Sequence, residues 1–280
     1  MKSLSIASFA ILVCLTPKLR AQFIDPDCGT TIDLPPKYRI VGGRTADIGS
    51  NPWMAYLHKN SSLVCAGTLI TKRFVLTAAH CLHNFHLLTV RLGEYDTSTR
   101  IDCTSEFCIP KYEEYSVVNA YSHKFFDEGQ DGRNDIGLLK LNGSVVYKLF
   151  IRPICLFRVP GQVPYISTYK AAGWGKTDLF NTATVLQTVN LIRLDQSDCE
   201  RSLRTSLSYG QFCAGQWRAD TCSGDSGGPL SSKMSNGRIT RTVQLGIVSY
   251  GHNVCRGPGV YTDVPSFTNW ILSITRWTQN

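Results

Sequence analysis

The sequence predicts an all-β fold, a barrel or a sandwich, finished by a C-terminal helix. Three observations carry this. Short runs rich in β-branched and large apolar residues are separated by turn residues, no βα alternation appears, and helical periodicity is clearest near the end of the chain. With 280 residues, 43% hydrophobic and 18% charged, the chain can bury a sizeable core, and it contains no low-complexity tract or repeat, which excludes fibrous, solenoid and disordered classes.

The elements follow in order. Lys2 precedes an apolar stretch from Leu4 to Leu15, and Leu19-Arg20-Ala21 offers a cleavage site with a small final residue, so residues 1–21 read as a secretory signal peptide. A membrane anchor is the alternative, but a span needs about 20 apolar residues and this run is shorter. Residues 22–39, with Asp25-Pro26-Asp27-Cys28-Gly29 and Leu34-Pro35-Pro36-Lys37, hold too few apolar side chains to fold alone and read as an appendage to a domain over 40–280. The strand-like runs are Gly67–Ile70, Phe74–Thr77, Leu88–Leu92, Ile136–Leu141 and Val243–Val248. Near the end, Phe267, Trp270, Ile271 and Ile274 recur at helical spacing after Ser266, predicting a helix capped by that serine. A shorter helix is expected from about Gln196 to Leu203.

Loss of Lys2, Lys18 and Arg20 with the leader lowers the net charge from +8 to +5, and the basic residues are scattered, so no nucleic-acid partner is expected. Of eleven cysteines, Cys14 lies in the leader, and the other ten predict five disulfides in an oxidising compartment. Structural zinc would need a close cysteine pair of the C-x2-C kind, which is missing. Spacing alone leaves the pairing open.

The string Asp220-Thr221-Cys222-Ser223-Gly224-Asp225-Ser226-Gly227-Gly228-Pro229 sets a serine among glycines that let the backbone turn tightly and bring amide groups toward a substrate oxygen. A serine hydroxyl is a weak nucleophile at neutral pH, and needs a base to take its proton and donors for the oxyanion formed on attack. His80, in Leu76-Thr77-Ala78-Ala79-His80-Cys81, is the candidate base, and Asp135, opening the apolar run Ile136-Gly137-Leu138-Leu139, is suited to orient it. Gly224-Asp225-Ser226-Gly227-Gly228 also matches the G-x-S-x-G elbow of α/β-hydrolases, whose triads run Ser, acid, His. That order fails, because the histidine after Ser226 is His252 and it precedes Asp263.

Arg39-Ile40-Val41-Gly42-Gly43, Thr77-Ala78-Ala79-His80-Cys81, Asp135-Ile136-Gly137-Leu138-Leu139, Gly173-Trp174-Gly175 and Gly224-Asp225-Ser226-Gly227-Gly228-Pro229 together resemble the chymotrypsin/trypsin serine protease family from Ile40 to the chain end. The resemblance implies two perpendicular six-stranded antiparallel β-barrels with a triad in the cleft between them: Ser226 as nucleophile, His80 as general base and then acid, Asp135 as the group that fixes the imidazole. It implies an oxyanion hole from the N–H groups of Gly224 and Ser226, with Ser249 supporting Asp135 at the edge of the substrate site. Asp220 would stand at the base of the primary specificity pocket, with Gly251 and Gly259 as open walls and Thr221 beside it, so that Arg or Lys is preferred before the cut bond.

The same resemblance makes Arg39-Ile40 a zymogen cleavage site whose freed Ile40 ammonium pairs with Asp225, and residues 22–39 a disulfide-tethered propeptide. It selects the pairs Cys65–Cys81, Cys199–Cys213, Cys222–Cys255 and Cys28–Cys155, which leaves Cys103 with Cys108. That extra loop, with Gly93-Glu94-Tyr95-Asp96 before it, is similar to the clip-domain proteases of arthropod haemolymph, although the lead-in lacks the six cysteines of a clip module. No cofactor is required. In many relatives this loop binds calcium, for which Glu94, Asp102, Glu113 and Glu114 could supply carboxylates, and Pro258 stands where sodium-activated relatives carry tyrosine. Asn60 and Asn142 open N-x-S/T sequons and are expected glycosylation sites.

The expected protein is therefore a secreted, monomeric endopeptidase of an extracellular cascade. Its implied partners are protein substrates, an upstream trypsin-like activator and serpin-type inhibitors, with no membrane partner. The alternative is a non-catalytic protease homologue acting as a binding module or cofactor, which the complete triad opposes.

Overall fold

The computed structural model describes residues 22–32, 44–105, 107–127, 129, 131–160, 163–176, 182–216, 221–236, 239–252 and 257–277. The expected signal peptide, the bond Arg39–Ile40, Asp220 and Cys255 lie outside them.

After the short β1 (Arg44–Thr45), six strands form a closed barrel. These are β2 (Met54–Lys59), β3 (Ser62–Thr71), β4 (Phe74–Thr77), β5 (Thr89–Leu92), β8 (Glu113–Ser122) and β9 (Gly137–Leu141), paired in the order β2-β3-β4-β9-β8-β5. A small hairpin, β6 (Asp102–Cys103) with β7 (Cys108–Ile109), interrupts the run between β5 and β8. The β2–β3 turn places Asn60 and Ser61 at φ 49° and 65°, the paired left-handed geometry that matches the twist of a tight hairpin. Both residues are exposed, as is Asn142 after β9, so both expected glycosylation asparagines face solvent.

The second half supplies β10 (Thr168–Gly173), β11 (Gln187–Arg193), β12 (Gln211–Gln216), β13 (Pro229–Asn236), β14 (Ile239–Tyr250) and β15 (Gly257–Asp263). Their order β11-β10-β13-β14-β15-β12, closed by pairing of β12 back to β11, makes a second six-stranded antiparallel barrel, and β1 adds to β11 through Arg44↔Thr188. The all-β expectation of two such barrels is met. Closure matters physically because it leaves no long unpaired strand edge.

One apolar cluster fills the first barrel with Trp53, Leu57, Leu69, Leu76, Val90 and Leu138, and continues into Trp174, Ile247 and Ile271 of the second half. The two halves therefore share a desolvated seam. A second cluster, with Tyr169, Leu191, Phe212, Leu230, Val243 and Tyr261, fills the C-terminal barrel and takes in Phe23 and Phe157.

The lead-in belongs to this second cluster by packing as well as by its disulfide. Cys28 is bonded to Cys155, Phe23 lies 5.5 Å from Phe157 ring to ring, and Gly29 donates to the Pro153 carbonyl while its own carbonyl accepts from Thr242 N–H. Gly29 adopts φ +70°, and a Cβ there would sit 2.7 Å from Cys155 Sγ, so only glycine fits. Cys65–Cys81, Cys103–Cys108 and Cys199–Cys213 are formed as the resemblance implied, and Cys222 is also disulfide-bonded.

Both helices occur: α1 (Gln196–Leu203) and α2 (Thr268–Trp277). The cap of the second differs from expectation. Val264–Phe267 form a 3-10 turn, so Phe267 precedes the α-helix, and Asp263 accepts from Ser266 N–H at 3.3 Å and from its hydroxyl at 2.5 Å. Asp263 occupies the N-cap position of this turn, so its carboxylate accepts there and the serine hydroxyl becomes a donor to it. No helix among the described residues is long and apolar enough to cross a membrane.

Leu76 is fully buried between β3 and β9, where it faces Thr68 and Leu138. Leu76→Ala is expected to cost about 2–5 kcal/mol, seen as a lower midpoint in guanidinium unfolding with an unchanged slope; a midpoint equal to wild type would contradict this account of the core.

Candidate active site

Asp135 lies at the tight turn into β9, where Asn134 takes φ 56° and Ile136 N–H returns to the Asn134 carbonyl at 2.8 Å. Its side chain is buried. Three donors converge on the carboxylate: His80 backbone N–H on Oδ1 at 3.0 Å, His80 Nδ1 on Oδ2 at 2.8 Å, and the Ser249 hydroxyl on Oδ2 at 2.6 Å. Thr262 fixes the same residue from behind, donating its hydroxyl to the Asp135 carbonyl at 2.8 Å. An ionised carboxylate only accepts, so Nδ1 of His80 carries its proton and the lone pair of the neutral ring resides on Nε2.

His80 occupies a single 3-10 turn, Ala79–Leu82, at the end of β4, with Ala79, Cys81 and Leu82 buried around it. Cys81 is tied to Cys65 on β3, so the backbone on both sides of the imidazole is anchored, while its side chain keeps 26% exposure. Cys65, His80 and Cys81 are the close group of metal-ligand atom types among the described residues, but the two sulfurs are bonded to each other and are not available as thiolates.

Ser226 is held through its backbone. Its carbonyl accepts from Ala66 N–H at 2.8 Å, and the next residue, Gly227, donates to Val248 at 2.9 Å. Gly227 has φ +80° and lies so close to Thr77 and Ala78 that a Cβ would come within 3.1 Å of Ala78 N. The turn bearing Ser226 therefore sits directly on the segment that leads into His80. Gly224 has φ +100°, a conformation that residues with side chains rarely adopt, and the N–H groups of Gly224 and Ser226 donate to no acceptor among the described residues.

Asp225 is a second enclosed carboxylate with a different environment. Although the residue as a whole is half-buried, its carboxyl is sunk against Gly173 and Gly175, where a Cβ on Gly175 would lie 2.6 Å from Cγ. Gly175 N–H and Cys222 N–H donate to its two oxygens at 2.8 and 2.9 Å. Burial outweighs these two bonds and pushes its pKa up to about 6. No ion pair reaches it among the described residues.

Other expected residues distribute as follows. Thr221 Oγ1 lies 3.0 Å from the hydroxyl of Tyr261, and a Cβ on Gly259 would meet that same hydroxyl at 3.0 Å. Gly251 is exposed at the end of β14. Ser249, expected at the edge of the substrate site, turns its hydroxyl to Asp135. Of the four carboxylates considered for calcium, Glu94 is buried on Arg91 at 3.2 Å and Glu114 takes Arg91 Nε at 2.8 Å. Glu113 meets Lys148 and the Tyr115 hydroxyl, and Asp102 accepts from Thr99. Arg91 thus stands between two of the candidate ligands, where its guanidinium already supplies positive charge. Thr262 carries no sequence signal for its part, since its backing of Asp135 spans 127 positions of the chain.

A family model described as Trypsin matches residues 40–271. The chain is 37% identical over 249 residues to phenoloxidase-activating enzyme 1 of Spodoptera litura, covering 83% of this chain and 66% of that protein. It is 34% identical over 264 residues to serine protease grass of Drosophila melanogaster, covering 88% and 69%. The crystal structure of the Drosophila Grass clip serine protease of the Toll pathway superposes with a TM-score of 0.77 at 33% identity, covering 89% of this chain and 75% of that one. The chain thus spans about two thirds of the length of the curated relatives it matches. With the matched region running through both barrels and all three residues His80, Asp135 and Ser226, the chain belongs to the trypsin family of serine proteases.

Proposed function

We propose that this protein is a secreted serine endopeptidase, made as a zymogen, that cleaves after Arg or Lys within an extracellular cascade. The observation that carries the chemistry is the buried Asp135 carboxylate bonded to His80 Nδ1 at 2.8 Å, which leaves Nε2 as the basic nitrogen. In the reaction, Nε2 takes the Ser226 proton as Oγ attacks the carbonyl carbon, and imidazolium forms beside Asp135, which stabilises it. The N–H groups of Gly224 and Ser226 donate to the developing oxyanion. His80 then gives its proton to the leaving amine, and water repeats the sequence on the acyl-enzyme. The approach of Nε2 to Ser226 Oγ is the link this reading supplies, supported by the seating of the Gly227 turn on Thr77–Ala78.

Specificity is assigned to Asp220, with Gly251 and Gly259 leaving room for a long cationic side chain and Thr221 beside it. Activation is assigned to Arg39–Ile40: the freed Ile40 ammonium pairs with Asp225, supplying the cation that this desolvated carboxylate lacks among the described residues and holding the Gly224–Ser226 turn. The placement in a cascade is supported by relatives named for phenoloxidase activation and for the Toll pathway, and secretion by four disulfides. The carboxylates around Arg91 favour an ion-paired loop over a calcium loop; calcium titration followed by thermal unfolding would reveal a bound ion as a raised midpoint.

Cleavage at Arg39–Ile40 followed by assay on an arginyl peptide substrate tests the reading. Ser226→Ala or His80→Ala should lower kcat by roughly 10⁴-fold or more, a magnitude drawn from triads of this family; unchanged turnover in either variant would overturn it. Asp220→Ala should abolish the preference for Arg and Lys while leaving Ser226 reactive to a fluorophosphonate.

A pH dependence follows from the Ile40–Asp225 pair. A free α-amino group titrates near about 7.7–8.0 and pairing raises it, so the ordering is complete below that range and is lost as pH climbs through the raised value. Activity of the cleaved enzyme is therefore expected to decline on the alkaline side, and a profile flat to about pH 11 would contradict the pairing.

A further inference from the structure

The loop between β5 and the Cys103–Cys108 hairpin contains Arg100-Ile101, an arginyl bond followed by isoleucine like the one at Arg39-Ile40. Both residues are exposed, Ile101 by 58%. Their peptide groups exchange no backbone hydrogen bond with any described residue. At several basic residues in other turns the carbonyl of the bond that would have to be presented is already taken. The Lys72 and Arg73 carbonyls accept from Val145 and Leu141, and the Arg133 carbonyl accepts from Asp127. A protease binds its substrate as an extended strand with main-chain bonds, so a peptide group already free of them is the one most readily taken. Next to the bond itself the contacts are local: Asp96 accepts from Ser98 at 3.0 Å, and Thr99 bonds Asp102. Side-chain bonds at an exposed turn open at low cost.

The N-terminal side of this loop is wired to the activation region. The Tyr95 carbonyl accepts from both Trp174 Nε1 at 3.1 Å and Leu186 N–H at 2.9 Å, and Thr97 N–H donates to Thr184 at 3.0 Å. The Tyr95 hydroxyl donates to Ala46 at 2.9 Å, six residues after Ile40 in the chain. Trp174 in turn precedes Gly175, whose N–H holds Asp225.

We propose that Arg100–Ile101 is a second cleavage site for an arginine-directed serine protease, an activated copy of this chain included, and that cutting it lowers activity. The inference rests on the arginine-directed reading above. The cut is ordinary hydrolysis: the Arg100 acyl group passes to Ser226 of the attacking copy, the Ile101 amine leaves with a proton from His80, and water releases the Arg100 carboxylate. Thr97–Arg100 then become a free chain end, which frays from Thr184 and loosens the Tyr95 support of Trp174 and Gly175.

The test uses the full chain cut at Arg39–Ile40. Ser226→Ala protein is mixed with a small amount of activated wild type and, separately, with a purified arginine-directed protease, and the products are sequenced from their N-termini. A new end reading Ile101-Asp102-Cys103 is expected in both mixtures, and is lost when Arg100→Gln is added. Activated wild type should lose activity on an arginyl peptide several-fold as this end accumulates, whereas Arg100→Gln keeps it. Absence of the new end in the digest by the added protease overturns the site whatever this chain's own activity. Its presence there but not with activated wild type, when the arginyl peptide is cleaved, overturns self-cleavage while the proposed activity stands. Appearance of the new end with activity undiminished overturns the control. Failure of wild type to cleave the arginyl peptide refutes the arginine-directed reading, and with it cleavage by an activated copy.

Discussion

The need to satisfy one buried carboxylate organises this molecule. Asp135 has almost no contact with solvent, and an ionised oxygen in that position is tolerated only when donors surround it. Those donors come from both halves of the chain: His80 at the end of β4, and Ser249 on β14. Thr262 on β15 adds a bond to its backbone carbonyl. The first barrel presents the acid and the imidazole, and the second supplies the hydroxyls that complete the set. Neither barrel alone leaves Asp135 fully satisfied, so the polar centre of the site and the apolar seam through Trp174, Ile247 and Ile271 enforce the same arrangement of the two halves.

Asp225 is the counterpoint. It too is enclosed, but its donors are two backbone N–H groups and burial raises its pKa, whereas two of the three donors to the Asp135 carboxylate are side chains. Glycine at 173 and 175 is what allows the carboxyl to sit there at all. A group that is desolvated and only partly compensated is a natural point of control, because the free energy of its loop depends on what cation is offered to it. The Tyr95 carbonyl, Trp174 and Gly175 extend that dependence to the loop carrying the Cys103–Cys108 hairpin.

Much of the fold was legible in the residues. The runs Phe74–Thr77 and Ile136–Leu141 supplied the paired strands β4 and β9, apolar nearly throughout and buried, and Gln196–Leu203 formed the short helix expected of it. Family motifs brought the cysteine pairing, which no spacing argument could have chosen. Where the reading went astray was the cap of the C-terminal helix. Asp263 took the cap in place of Ser266 because the helical segment starts at Val264, one residue after it, in a 3-10 turn that the helical spacing did not announce. Thr221 likewise meets the Tyr261 hydroxyl, forty positions away, which no local pattern announces.

By itself the chain of amino acids determined which chemistry was on offer: a serine among glycines, a histidine beside a cysteine, an aspartate before an apolar strand, and an arginyl bond ahead of Ile40. Such features are local, since backbone conformation at glycine and the donor or acceptor character of a side chain do not depend on distant neighbours. Tertiary structure alone decided who answers whom. It brought Ser249 to Asp135 across 114 positions, set Gly175 against Asp225, and put a guanidinium between two glutamates. Partners of a buried charge are chosen by which groups barrel closure leaves within hydrogen-bond reach, and that is a property of the packed whole.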